Sequence, residues 1–197
     1  MIVGKSPAAA TMLLLIAGCA YRGEKQIVAA DPRCVLTEAD KAANRTLTWQ
    51  EFDLSPDRPK TSMWLSSAGC YRQAVDAGAD YLATGPMLPV RGHSIVTFHM
   101  ARNLARSGDH RAAAQLASAS RRADQPPNAP LDWNTYVEGF YAYLTGNRAL
   151  LDSSYERLVA AAGESNLTNA RVLDRARRCF ERPFVQIETR KECGPEE

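Results

Sequence analysis

Several features that commonly announce a function are missing from this chain. No apolar run reaches the roughly 20 residues a membrane-spanning helix needs; the run from Pro7 to Gly18 is about a dozen residues long. Lys and Arg number 24 against 22 Asp and Glu, a net charge of +2. That balance does not supply the concentrated basic field of a nucleic-acid surface. There are three histidines and no Cys-x-x-Cys pair, so no zinc site is expected. His93 and His99 are six residues apart, which puts them on different faces of a helix, and His110 falls in an exposed turn. Gly-x-Ser-x-Gly, His-Glu-x-x-His, a phosphate-cradling glycine loop and a dinucleotide fingerprint are all absent from the sequence. The expectation is a protein without catalytic residues, metal or cofactor, and not an enzyme.

What is present starts at the N-terminus. Met1 to Lys5 carries one side-chain cation, and the apolar stretch Ala8 to Ala17 follows. Too short to span a bilayer, this reads as the core of a secretory signal peptide. It runs into Ile16-Ala17-Gly18-Cys19: a branched apolar residue, two small ones, then a cysteine. That sequence resembles a bacterial lipobox. The resemblance implies a signal peptide over residues 1–18, cleavage after Gly18, and a Cys19 that carries a diacylglycerol thioether and an acylated amine, with palmitate-type chains. Several chains at roughly 0.8 kcal/mol per buried methylene exceed the marginal hold of a single myristoyl group. Ala20 is not Asp, and the resemblance then implies the outer membrane, with the protein facing the periplasm. Removing residues 1–18 takes away one charged side chain, Lys5, and leaves enough chain for one domain with a real core.

In such an oxidising compartment the four remaining cysteines, Cys34, Cys70, Cys179 and Cys193, suggest two disulfides with three possible connectivities. The expected pairs are Cys34–Cys70, pinning an N-terminal arm to a helix, and Cys179–Cys193, stapling the tail. A buried free thiol at Cys70 is the alternative.

Residues 19–36 are polar and broken by Asp31-Pro32, and read as a tether. A helical domain is expected over 37–183 and a charged C-terminal tail over 184–197. Thr37 followed by Glu38 and Asp40 reads as a helix start, with the helix ending near Asn44. Trp49 and Phe52 fall in a turn-rich segment and are expected to plug into the core. Trp64, Ala68, Tyr71, Val75 and Leu82 share a stripe that predicts one helix over Lys60–Thr84, with Gly69 and Gly78 inside it. Another helix is expected from Ser94. A last one, Asn166–Phe180, presents Leu173, Ala176 and Phe180 on one side and a solvated arginine face on the other, and Pro183 closes it.

Between residues 94 and 160 the chain repeats itself. His99, Met100, Ala101 and Leu104 lead to Gly108-Asp109 and then Ala113 and Ala117; Gly139 and Ala142 lead to Gly146-Asn147 and then Leu151, Tyr155 and Leu158. The glycines are placed to end one helix in a left-handed residue, and Asp109 and Asn147 to cap the next. This spacing resembles the tetratricopeptide repeat, with Thr97 and Thr135 standing where that family commonly has Trp and Leu151 where it has Ala. The resemblance implies an all-α fold of antiparallel helical hairpins in a short superhelix with capping helices. It places a partner-holding groove on the first helix of each hairpin, presenting Phe98, Arg102 and Arg106, then Tyr136, Phe140 and Tyr143. The function expected from the two resemblances together is a lipid-anchored, periplasm-facing scaffold for another envelope protein. A structural envelope lipoprotein without a discrete groove is the alternative, and an envelope-acting enzyme a further one.

Overall fold

In the computed structural model, which describes residues 31–126, 129–161 and 163–194, the chain is all-helical. Cys19 and the segment before it lie outside the described residues. Among the described residues ten α-helices run in order: α1 Glu38–Asn44, α2 Trp49–Asp53, α3 Ser62–Ser67, α4 Tyr71–Thr84, α5 Val90–Arg106, α6 His110–Ala119, α7 Trp133–Leu144, α8 Arg148–Ala160, α9 Glu164–Arg178 and α10 Phe184–Thr189. Short 3₁₀ turns, Pro32–Cys34 and Lys191–Cys193, stand at either end. Among the described residues no helix is long and apolar enough to cross a membrane.

The helix starts follow from local chemistry. Thr37 accepts from the Asp40 N–H while Asp40 accepts from the Thr37 N–H, a reciprocal cap that opens α1. Thr48 and Glu51 repeat the device and turn Trp49–Asp53, expected as irregular, into the helix α2. Phe52 on that helix is fully buried and stacks on Tyr81 with centroids 4.0 Å apart.

The long helix expected over Lys60–Thr84 is two helices. Gly69 adopts φ 81°, the Gly69 N–H reaches Ser66 O at 3.1 Å and the Cys70 N–H reaches Leu65 O at 2.8 Å. This bond pattern ends a helix in a left-handed residue. The same pattern closes α5 at Gly108, where Asp109 N–H meets Leu104 O at 2.9 Å, and α7 at Gly146, where Asn147 N–H meets Ala142 O at 2.8 Å. Asp109 and Asn147 then cap α6 and α8 through Ala112 N–H and Leu150 N–H. Three glycine-ended turns therefore stand 39 and 38 residues apart (69 to 108, 108 to 146). They join the hairpins α3/α4, α5/α6 and α7/α8, each packed on the next, with α9 against α7 and α8.

Two apolar clusters meet at α5. Val96 and Met100 face a smaller one with Phe52, Leu65, Ala74 and Tyr81, while Phe98, Ala101 and Ala105 face the larger one built by α6 to α10. Both expected disulfides are formed, Cys34–Cys70 and Cys179–Cys193.

The two ends of the expected domain are drawn inward. Residues 31–36 are docked rather than free. Cys34 is bonded to Cys70, Leu36 packs on the smaller cluster, and Lys60 Nζ donates to the carbonyls of Arg33 and Val35 at 2.7 and 2.8 Å. The segment from Phe184 to Gly194, expected as tail, also belongs to the body. Phe184, Ile187 and Cys193 are buried, and Arg175 clamps the carbonyls of Ile187, Glu188 and Arg190 at 2.9, 3.2 and 2.8 Å. Pro183 opens α10 instead of closing α9, which ends at Arg178.

Candidate functional site

The six residues expected to line a groove do cluster on one side of α5 and α7, but that side is covered by the chain itself. Phe98, Tyr136, Phe140 and Tyr143 are 1%, 3%, 1% and 5% exposed. Phe98 packs edge-on against Phe140 at 5.1 Å, and Phe184 of α10 packs on Phe140 at 5.1 Å and on Tyr143 at 5.9 Å. The Tyr143 hydroxyl donates to Arg182 O at 2.7 Å. These four aromatics are core and not an open surface. The reason is that α10, held by the Cys179–Cys193 staple, fills the place a ligand would take. Displacing it would expose Phe184 and Ile187, at roughly 1.5–3 kcal/mol each, before any polar contact is counted. Burial also pushes the Tyr136 and Tyr143 hydroxyls above the usual phenol range, so neither is a base at neutral pH.

Arg102 and Arg106 have a different setting. His99, Arg102, Asn103 and Arg106 follow the i, i+3, i+4, i+7 spacing and form a polar stripe along α5 between its two apolar faces. This stripe faces Ser62, Met63, Ser66 and Ser67 of α3 across a cleft of about 210 Å³ that Asp53, Tyr71 and Glu188 also line. Glu188, the fifth residue of α10, accepts from Arg102 Nη2 at 2.5 Å and from Arg106 Nε and Nη2 at 2.6 and 2.9 Å. Arg106 Nη1 donates to Ser66 Oγ at 2.6 Å and to Asn103 Oδ1 at 3.1 Å, and Ser66 donates to Asn103 Oδ1 at 2.7 Å. The Arg106 guanidinium also lies 5.7 Å from the Tyr71 ring centroid.

Electrostatics favour the ionised forms of Glu188 and Arg102. Burial alone would raise the Glu188 pKa. The hydrogen bond from Arg106 and the fields of Arg102 and Arg106 outweigh it and hold the carboxyl below its usual range. Burial likewise opposes charge on Arg102, but the charge of Glu188 and its hydrogen bond favour it, and the Arg102 pKa is raised.

At the other end of the cleft Asp53, the last residue of α2, is fully buried. Its Oδ2 lies 2.7 Å from His99 Nδ1. A carboxylate only accepts, so this contact places the hydrogen on Nδ1 and orients the ring. Asp53 Oδ1 is buried and has no hydrogen-bond partner, and the same is true of Arg102 Nε. Two cleft residues thus each carry one unused polar atom, an acceptor on a carboxylate and a donor on a guanidinium. Among the described residues no group of three or more His, Cys, Asp or Glu side chains is placed to hold a metal ion.

Arg102 and Arg106 are the two expected site residues that the cleft contains; Asp53, Asn103, Ser66 and Glu188 join them without having been singled out by the sequence, and His99, named there only as a repeat residue and an isolated histidine, joins them too. The stripe on α5 is visible there as four polar residues at helical spacing in an apolar helix. Asp53 and Glu188 leave no such trace, since they arrive from 46 and 82 or more residues away in sequence.

Comparison with protein-family models, with curated proteins and with solved structures finds no match for this chain.

Proposed function

We propose that this protein is a lipid-anchored, non-enzymatic binding module of the bacterial cell envelope, held at the outer membrane through Cys19 and facing the periplasm. Its helical body resembles a short tetratricopeptide array. The observation that carries this reading is the third glycine-ended hairpin. An array of stacked hairpins needs about three units to bury a continuous core, and Gly69, Gly108 and Gly146 end three successive first helices in the same way. In such an array the first helices line the inner face. Here α10 fills that face over α7, and the cleft between α3 and α5 is the part left open for an envelope partner.

The test is in-cell crosslinking followed by membrane purification, comparing the native chain with Ser67→Trp. Ser67 is exposed at the cleft mouth, so the indole obstructs the cleft without entering the buried network. A defined partner lost in the variant supports the module. The same partners from both chains, or none, favour a structural lipoprotein without a discrete site. The mass of the Cys19 peptide in the same preparation tests the anchor, and an unmodified cysteine sinks that part.

A further inference from the structure

The loop between α4 and α5 carries an apolar tip that the fold leaves uncovered. Met87 is 99% exposed, and Val90, the first residue of α5, is 54% exposed. Pro86, Met87, Leu88 and Pro89 share a surface groove with Leu47 and Trp49. None of the residues lining it carries a charge, in a chain of which 23% is charged. The Trp49 ring packs on Gly92, where an added Cβ would stand 3.0 Å from it, so the indole is held beside the loop. Two prolines restrict the backbone of the tip. The nearest carboxylate along the chain, Glu51, is already engaged by the Thr48 cap and by Arg58. Arg91 is exposed one residue beyond Val90, close enough to Arg122 for the two charges to repel.

An apolar tip with an indole beside it and cations at its edge has the composition of a surface that enters a lipid interface. Apolar side chains reach the acyl boundary, tryptophan sits at headgroup level, and arginine meets phosphate. Chain length allows the contact. The described chain begins at Asp31, close in sequence to Cys34, which is bonded to Cys70 at the start of α4. α4 has 14 residues, so its far end lies about 21 Å away at about 1.5 Å per residue. The 12 residues 20–31 reach at most about 40 Å when extended. An anchor at Cys19 and the loop at the far end of α4 can therefore meet one bilayer.

We propose that the tip, residues 86–90, inserts into the same phospholipid bilayer that holds Cys19, a second contact that orients the helical body. This rests on reading Cys19 as lipidated, and it does not involve the cleft, with which the groove shares no residue. The glycine-ended turns at Gly69 and Gly108, at the opposite ends of α4 and α5, then face away from the bilayer.

The test uses the full lipidated chain in vesicles of phosphatidylethanolamine with a minority of phosphatidylglycerol, with or without brominated acyl chains. Met87→Trp places an indole at the tip. Its emission, taken as the difference from the native chain, falls about twofold or more in brominated vesicles and is shielded from acrylamide. Met87→Asp, at a position too exposed to disturb folding, lowers the docked-to-free ratio about tenfold or more, read as lost bromine quenching of Trp49. Emission from Met87→Trp that is unquenched and open to acrylamide would overturn the proposal. Shielding from acrylamide without bromine quenching would mean that a second copy of the chain covers the tip, and would overturn it too. Flotation with the vesicles and the mass of the Cys19 peptide report the anchor separately. A lipidated chain that floats without quenching keeps the anchor and sinks the inference. A chain with unmodified Cys19 whose quenching is abolished by Met87→Asp keeps the lipid-binding tip and sinks the anchor.

Discussion

Replacing Glu188 with alanine tests how the far end of the chain is held to its middle. Glu188 accepts three charge-assisted bonds from Arg102 and Arg106, at 2.5, 2.6 and 2.9 Å. The three side chains are 20%, 24% and 19% exposed, in the order Glu188, Arg102, Arg106. Removing one partner of a fully buried ion pair costs about 3–5 kcal/mol because the remaining charge is left desolvated. With about a fifth of each side chain in contact with water, a loss of about 2–3 kcal/mol is expected, or about 5–10 °C in melting temperature for a domain of this size. Glu188→Gln, which keeps shape and one acceptor oxygen, should fall between the two. The pH dependence carries a sign. The folded Glu188 pKa lies below its ordinary 4.5, because the Arg106 hydrogen bond and the two guanidinium fields overcome the effect of burial. Its contribution is therefore fully present above about pH 4.5 and is lost as pH falls through the lower folded value. Urea unfolding of native and Glu188→Ala protein between pH 7 and pH 3 should give curves that are parallel above about pH 5 and converge below about 4.5. A difference under about 1 kcal/mol at pH 7, or one that persists undiminished at pH 3, would contradict this account of the contact.

Two further perturbations address the scaffold. On the chain-entropy account, opening Cys34–Cys70, with a separation of 36, should cost about 4 kcal/mol, and opening Cys179–Cys193, with a separation of 14, about 3 kcal/mol. Urea midpoints of the paired Cys→Ser variants measure both, and the second should also loosen α10 and weaken the Glu188 contacts. Gly139→Ala places a methyl group against Leu173 Cδ1, with Leu173 Cδ2 and Ser154 Cβ each 3.1 Å from it, where α7 meets α8 and α9. Overpacking there should destabilise by about 1–3 kcal/mol, and an unchanged urea midpoint would show that the contact yields.

Much of the architecture is legible in the sequence because it is local. A threonine with an acid three residues on opens α1, and glycine followed by Asp or Asn ends α5 and α7 and starts α6 and α8, since caps and left-handed turns depend on a few neighbouring residues. The same logic applies at Gly69, yet the apolar stripe from Trp64 to Leu82 masks it: the stripe continues in register across the break, and periodicity alone cannot show that the chain has turned. The cysteine pairing is one of three that the sequence allows, and the packing of the arm and of the tail selects it.

The candidate site is a matter of tertiary structure. Aromatic residues on α5 and α7 carry the same pattern whether they face a partner or the chain's own C-terminus, and burial by Phe184 and Ile187 decides between the two. Helical spacing puts His99, Arg102, Asn103 and Arg106 on one face, and that much follows from sequence. The long-range approach of Asp53 and Glu188 turns the face into a cleft lined by paired charges, because a carboxylate's meaning depends on what folding brings within about 3 Å of it.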